Sequence, residues 1–291
     1  MSASRYTAVG VFDSGVGGLT VVAALRRLNP ALPIRYIADG AWFPYGERTS
    51  EEIEERSLFL TEALVAEGCA PVVVACNTAS SSALERLRER FDVPIVGMEP
   101  PLKPAVERTR TGRVAVLATP STVRGERLAR LQDAYGGGVE VTAVPMPGLA
   151  DLVESGHVAG ERVEQLLHRT LGSLAGSGID QVALGCTHYG FLRATFDSML
   201  DALLGTDVDV IDPAEPVARR ALHQIEAHGI TVPTLKPAPP VVCSTTGDPA
   251  AFAESVARLR ADGADLPPLD IAPVPFEGPL PAPAAPERVP S

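Results

Sequence analysis

The sequence lacks the features that identify membrane and nucleic-acid-binding proteins. No run of about 18 apolar residues occurs, the length that a membrane-spanning helix needs. Positive charge is scarce, because 25 Lys and Arg residues stand against 36 Asp and Glu residues and give a net charge of −11. Binding to nucleic acid requires a basic surface that neutralises phosphates. We therefore expect neither a membrane nor a nucleic acid as a partner.

Metal-binding and targeting motifs are also missing. The four cysteines include no C-x-x-C pair, and the five histidines show no metal-ligand spacing beside them. We therefore expect no metal site. The opening residues MSASRYTAVGVFDSG contain no long apolar run after a basic patch, as a signal peptide would. We expect a cytoplasmic protein whose cysteines are reduced.

A glycine-rich segment near the start lacks the motifs of a nucleotide site. Residues 9–22, VGVFDSGVGGLTVV, contain neither G-x-x-x-x-G-K-[ST] nor G-x-G-x-x-G. We interpret the glycines as permitting a tight turn from a strand into a helix. That turn would present Asp13 and Ser14 at the end of the strand, where Asp13 could accept a proton or orient a base. A simple N-cap role for Asp13 is the alternative.

What the sequence does contain is an alternation of short apolar runs with longer amphipathic ones. The 291 residues, 45% of them hydrophobic, are enough for one large or two modest domains. Most of the short runs are continuous and β-branched, which is typical of strands covered on both faces. Strands are predicted at 8–12, 34–38, 71–75, 113–118, 139–143, 181–185 and 207–211. Helices are predicted at 50–68, 82–91, 149–156 and 214–229. This pattern predicts an α/β protein with mainly parallel sheets.

Three proline-rich segments interrupt this alternation. Residues 92–104 could form a hinge between two α/β units, and a second crossover is expected near 211–216. From about residue 265 to residue 291, proline and alanine dominate, and we expect a disordered tail without a packed core.

Two segments that lie 110 residues apart share one layout and suggest a weak internal repeat. Residues 72–81, VVVACNTASS, and 181–192, QVALGCTHYGFL, each place a cysteine after an apolar strand and a small residue. A threonine and a helical pattern follow each cysteine. Cys76 and Cys186 are therefore expected at the carboxyl ends of strands, one in each half of the molecule.

That position has chemical meaning. Ligands of open α/β sheets bind outside the carboxyl ends of the strands, where the next helix directs its free N–H groups. Those groups should lower the pKa of a thiol and can also hold a carboxylate. Further donors follow the cysteines at Asn77, Thr78, Thr187 and His188.

Two simpler interpretations of the cysteines remain open. Each could be a small buried hydrophobic residue, the interpretation that we adopt for Cys69 and Cys243, or the two could form a redox pair. A redox pair would not need the polar neighbours. Elsewhere, the sequence Pro44-Tyr45-Gly46 predicts a turn before a helix, where Tyr45 either closes a pocket or packs on the surface.

With DSGVGGLTV, FPYGE, ACNTAS and GCTHY in this order, the sequence resembles the glutamate racemases, which belong to the cofactor-independent aspartate/glutamate racemase superfamily. The resemblance covers about residues 8–262 and includes STVRGERL and TTGDPAAF. It implies two similar α/β domains with the active site in the cleft between them. It also implies that free glutamate is interconverted between its L and D forms without a cofactor, supplying D-glutamate for peptidoglycan. We expect a homodimer.

The resemblance also implies domain boundaries and roles for single residues. The first domain would comprise 1–98 and 212–264, the second 99–211, with the tail at 265–291. Cys76 and Cys186 would be the two acid/base residues, acting on the D- and the L-isomer respectively, with Asp13 and His188 assisting. The substrate would be bound by Asp13, Ser14, Tyr45, Gly46, Asn77, Thr78, Thr119, Thr122, Thr187 and His188. Glu154 would help Cys186, although the segment around it matches the family only loosely.

Physical reasoning supports two bases, since one base cannot easily reach both faces of a bound substrate whereas two opposed thiols can. One departure concerns substrate choice: residues 39–46 lack the hydroxyl and the arginine of the family pattern D-[ST]-A-R-x-P-Y-G. The alternatives are therefore a racemase of aspartate or another amino acid, and a regulatory protein without catalysis on the same scaffold. Both cysteines and their donors are present, which argues against the second alternative.

Overall fold

The computed structural model describes residues 6–204, 207–233 and 236–274. In these residues it contains ten strands and eleven α-helices. The strands are β1 Ala8–Asp13, β2 Ile34–Ala38, β3 Cys69–Val74, β4 Ile95–Gly97, β5 Arg113–Ala118, β6 Glu140–Pro145, β7 Gln181–Gly185, β8 Asp209–Ile211, β9 Val241–Thr245 and β10 Leu269–Pro273. The helices are α1 Leu19–Leu28, α2 Ser50–Ala66, α3 Asn77–Arg90, α4 Leu102–Arg108, α5 Pro120–Arg124, α6 Glu126–Tyr135, α7 Leu149–Glu154, α8 Glu161–Leu171, α9 Arg193–Leu204, α10 Ala214–Ala227 and α11 Pro249–Ala261.

The strands form two sheets in which the recorded pairings are parallel. The first sheet has six strands in the order β10-β9-β2-β1-β3-β4, and the second has four in the order β6-β5-β7-β8. The register is regular at the centre of each sheet, with Val11 opposite Tyr36 in the first and Val116 opposite Ala183 in the second. The predicted α/β fold with two mainly parallel sheets is confirmed.

Local sequence explains why the main elements form. β1, β3 and β7 are buried along their whole length, as expected for continuous apolar strands covered on both faces. α2 begins with a capping box, in which Thr49 and Glu52 each accept a hydrogen bond from the other's backbone N–H. Each of the seven predicted strands lies within two residues of an observed one.

The sequence-based prediction misses β4 and β9 and misplaces the start of α3. β4 has only three residues, and β9 alternates between buried and exposed residues after a run of prolines, so neither produces a long apolar run. α3 begins at Asn77 rather than at residue 82, because the polar residues after Cys76 form its first turn.

The predicted disordered tail, 265–291, starts too early. β10 lies inside that range and pairs with β9, placing Ile271 opposite Cys243. An edge strand tolerates proline at its end, as Pro273 shows, because one side of the strand needs no partner. Residues 275–291 lie outside the described part of the chain.

The two sheets share one continuous apolar core, which includes Val9 and Val11 from β1 and Val182 and Leu184 from β7. This packing brings the carboxyl ends of β1 and β3 towards those of β5 and β7. Among the described residues, no helix combines the length and the apolar character that a membrane span requires.

Candidate active site

The two cysteines of the repeated segments line the same cavity. Cys76 stands between β3 and α3, and Cys186 stands between β7 and a short 3₁₀ helix, Thr187–Leu192. The cavity is small, with a volume of about 30 Å³. Only 6% of the surface of Cys76 and 7% of the surface of Cys186 is exposed. The fold therefore joins two thiols from different sheets in one sheltered site.

Cys76 is held as a neutral thiol. Burial and the nearby carboxylate of Asp13 raise the pKa of Cys76 to about 12, although the backbone N–H groups of Thr78 and Ala79 favour the thiolate. The thiol also lies 4.0 Å from Oγ of Ser14. The prediction that the start of the helix lowers the pKa of this thiol is wrong, because desolvation of the charged form outweighs the two N–H groups.

Cys186, in contrast, contacts His188, which in turn contacts Glu154. Its Sγ lies 3.8 Å from Nδ1 of His188, and Nε2 of His188 lies 2.8 Å from Oε2 of Glu154. Burial alone would lower the pKa of His188, but the contacts with Cys186 and Glu154 outweigh it and hold that pKa well above its usual value. These contacts therefore favour the protonated form of His188, which can exchange a proton with Cys186.

Asp13 joins the two halves of the site. Its carboxylate accepts hydrogen bonds from Oγ1 of Thr187 at 3.0 Å and from the N–H of Gly15 at 3.1 Å. Burial raises the pKa of Asp13 despite the opposing effect of His188. The N-cap alternative for Asp13 does not hold, since α1 begins at Leu19 with Gly18 as its N-cap.

The glycine-rich turn after β1 lies directly against residues of the second sheet. The N–H of Val16 donates to Oε2 of Glu154 at 2.8 Å. A Cβ on Gly17 would collide with His188 and Thr187. These glycines therefore permit the close approach of the two halves, in addition to the tight turn that the sequence predicts.

The cavity brings together ten of the predicted site residues: Ser14, Tyr45, Gly46, Cys76, Asn77, Thr78, Thr119, Cys186, Thr187 and His188. Asn77 points most directly to a ligand. Both side-chain amide atoms of Asn77 are buried without a hydrogen-bond partner in the described part of the chain. Such unsatisfied groups destabilise a fold, which a bound polar molecule would offset.

Thr122 and Asp13 are predicted site residues that do not line this cavity. Oγ1 of Thr122 lies 3.0 Å from Oγ1 of Thr119, and Thr122 borders a neighbouring cavity that also includes Thr78. Thr122 thus contacts Thr119, and Asp13 contacts Thr187, and both of these partners line the cavity.

Sequence reasoning missed a buried polar group behind the cavity. The Tyr45 hydroxyl donates to Oδ2 of Asp39 at 2.5 Å, and Asp39 is paired with Arg56 of α2. Arg56 sits in a segment rich in charges, so its burial leaves no signal in the sequence. Within the described residues, no group of three or more potential metal ligands is found.

Comparison with known proteins gives consistent matches. Residues 19–221 match the family described as Asp/Glu/Hydantoin racemase. The glutamate racemase of Roseiflexus sp. is 41% identical over 262 residues, covering 89% of this chain and 94% of the relative. That of Pseudomonas paraeruginosa is 44% identical over 219 residues, covering 75% and 81%.

Solved structures of glutamate racemases superpose on the same fold. The enzyme RacE1 of Bacillus anthracis matches with a TM-score of 0.79 and 31% identity, over 94% of this chain and all of that chain (100%). The Escherichia coli enzyme, solved with L-glutamate and the activator UDP-MurNAc-Ala, matches with a TM-score of 0.77 and 30% identity, over 92% and 98%.

Proposed function

Since this chain belongs to the Asp/Glu/Hydantoin racemase family, we propose that Cys76 and Cys186 move the Cα proton of glutamate on opposite faces of the substrate. The chain is an isomerase that interconverts L- and D-glutamate, as its relatives do. The predicted activity is thereby confirmed, while the cysteine mechanism stays a proposal.

The observation that carries the mechanism is the pairing of two thiols with different proton partners in one cavity. With L-glutamate, the thiolate of Cys186 removes the Cα proton and the Cys76 thiol donates its proton to the other face. Cys76 is well suited to start as the donor, because its pKa is raised to about 12. With D-glutamate the roles reverse. His188 and Glu154 would balance the charge on the Cys186 side.

The remaining cavity residues would bind the substrate and stabilise the carbanion-like transition state. The unpartnered amide of Asn77 and the start of α3 offer donors to a carboxylate. Ser14, Thr187 and the turn at Tyr45 and Gly46 add hydroxyl and N–H groups. Fixed donors of this kind substitute for the electron sink that a cofactor would otherwise provide.

Serine variants of the two cysteines test the mechanism. Cys76→Ser and Cys186→Ser should each lower racemisation by about 100-fold or more, since each removes one acid/base group. In D₂O, Cys76→Ser should still exchange the Cα proton of L-glutamate, and Cys186→Ser that of D-glutamate. Cys69→Ser changes a buried thiol outside the cavity and serves as the control. Full racemisation by either active-site variant would refute the two-base assignment.

The cellular role is proposed on the same basis. D-glutamate made by this enzyme would supply peptidoglycan synthesis in the cytoplasm, where the four free cysteines would stay reduced. A deletion strain should then require D-glutamate for growth; growth without it would contradict the role.

Assembly and domain division are proposed as well. Each sheet with its helices would be a domain, with boundaries near residues 98 and 212 and glutamate bound between the two. Two copies would form a homodimer, which sedimentation equilibrium tests directly: a monomer at micromolar concentration would contradict it.

A further inference from the structure

α2 contains an arginine that is almost completely buried. Arg56 is 2% exposed, and its guanidinium makes two hydrogen bonds to Asp39, from Nε at 2.7 Å and from Nη2 at 2.5 Å. Asp39 is 0% exposed. Burying an ion pair costs free energy that its attraction often fails to recover, so stability alone gives a weak reason for this pair.

Asp39 also links this ion pair to two other segments through hydrogen bonds. Its carboxylate accepts a hydrogen bond from the Tyr45 hydroxyl at 2.5 Å and another from Oγ1 of Thr246 at 2.8 Å. The Arg56 guanidinium also lies over the ring of Trp42, 5.4 Å from its centre. The segment between Asp39 and Tyr45 is therefore fixed at both ends by one charged group.

That segment borders the cavity of the two cysteines. Tyr45 and Gly46 both line the cavity, but the Tyr45 hydroxyl is already committed to Asp39. What the two residues offer is their backbone N–H groups, for which no acceptor is recorded in the described part of the chain. Backbone N–H groups bind a carboxylate well only when their position is fixed.

We propose that Arg56 is a positioning residue: acting through Asp39, it holds the backbone of Tyr45 and Gly46 where their N–H groups bind a carboxylate of glutamate. This inference rests on the proposed binding of glutamate in the cavity. Arg56 itself touches no substrate. Its planar, two-pronged geometry is essential, because a lysine would keep the charge but could not make the same pair of hydrogen bonds.

Arg56→Lys tests the proposal, and the sole tryptophan of the chain provides a direct readout. Trp42 lies in the segment that Arg56 holds, so its fluorescence reports the local structure and can follow titration with glutamate. Arg56→Lys should raise both KM and Kd for glutamate about tenfold, with a smaller fall in kcat, because binding geometry rather than proton transfer is disturbed.

Asp180→Asn is the matched control. Asp180 is also buried, at 1% exposure, and is hydrogen-bonded to Thr109 and Thr111 before β7, at the end of the second sheet opposite the cavity. The Asp180→Asn substitution should lower Tm, while KM and the emission intensity of Trp42 stay within twofold of those of the original protein. An equal rise of KM in this control would overturn the proposal, since general loss of stability would then explain the result.

Tyr45→Phe keeps the test decisive if Arg56→Lys fails to fold. It retains the aromatic ring and the ion pair and removes only the hydroxyl that links Tyr45 to Asp39. KM should rise several-fold; unchanged KM and Kd would overturn the proposal. Failure of the proposed function is recognised separately, because racemisation would then survive in Cys76→Ser or Cys186→Ser.

Discussion

His188 links the chemistry of Cys186 to a carboxylate that comes from a different helix. Glu154 ends α7 and accepts from both Val16 and His188, so one side chain orients the imidazole and also connects the two halves of the site. A histidine held in this way is fixed in orientation and keeps its proton at a pH where a free imidazole would lose it.

Glu154→Gln should lower the pKa of His188. The glutamine can still accept from Val16, but it removes the negative charge that helps hold the proton on His188. NMR titration of the histidine ring, assigned with His188→Gln, measures the shift. A pKa that stays the same or rises would contradict the assignment.

The same substitution should change stability in a pH-dependent way. Because the pKa of His188 is raised in the folded protein, its stabilising contribution is complete below about pH 6.5 and is lost as the pH rises through the folded value. The difference in unfolding free energy between the original and Glu154→Gln should therefore be largest below about pH 6.5 and shrink as the pH rises through the folded pKa of His188. Urea unfolding at several pH values checks this.

Single residues show how far the sequence could predict the site. The motifs identified Cys76, Asn77 and Cys186, because their residue types and spacing are visible in the sequence. The pKa of Cys76 was predicted with the wrong sign, because the depth of burial around a thiol depends on packing from distant segments. The role of Asp39 with Arg56 likewise depends on a contact between a loop and a helix.

At the scale of elements, the turn between β1 and α1 is constrained by the other half of the molecule. Gly17→Ala would place a methyl group against His188 and Thr187. We expect destabilisation by about 1–3 kcal/mol, typical of overpacking, and a fall in kcat/KM of about 100-fold as the two residues are displaced.

Gly137→Ala is the control for this substitution. A Cβ on Gly137 meets no atom within 4 Å, so both stability and kcat/KM should stay close to the original values. Thermal denaturation and racemase assays of the two variants make the comparison. If Gly17→Ala were as active as Gly137→Ala, the close approach of the two halves would not be needed for catalysis.

The elements themselves differ in how well the sequence predicts them. Buried strands such as β3 and β7 are continuous apolar runs, so the sequence predicts them within two residues. The sequence predicts a disordered tail where β10 lies, because Pro267, Pro268 and Pro273 and the half-exposed residues between them resemble an unstructured segment. Only its pairing with β9 distinguishes it, and that partner is remote in the sequence.

For the whole molecule, the site depends on how closely the two sheets are held together. The hydrogen bonds Thr187 to Asp13 and Val16 to Glu154 both cross between the halves. No local pattern in the sequence predicts these two hydrogen bonds, because they depend on how the two sheets pack across the shared core. Because Cys76 and Cys186 are buried where the halves meet, we expect a substrate to reach them only when the halves separate.

Alkylation by iodoacetamide should therefore divide the cysteines into two kinetic classes. Burial raises the pKa of Cys69 and of Cys76 to about 12, so neither thiol reacts readily while it is buried. Their labelling therefore requires an opening that exposes them to solvent. Cys76 should react faster, because separation of the halves exposes it, whereas Cys69 lies inside β3 and requires unfolding.

Glutamate should slow the labelling of Cys76 and Cys186 and leave that of Cys69 and Cys243 unchanged, because the substrate occupies the cavity that only the first two line. Mass spectrometry of peptides from timed samples, with and without D-glutamate, measures all four rates in one experiment. Equal rates for Cys69 and Cys76, or protection of all four thiols by glutamate, would mean that global unfolding and not opening of the cleft controls access to the site.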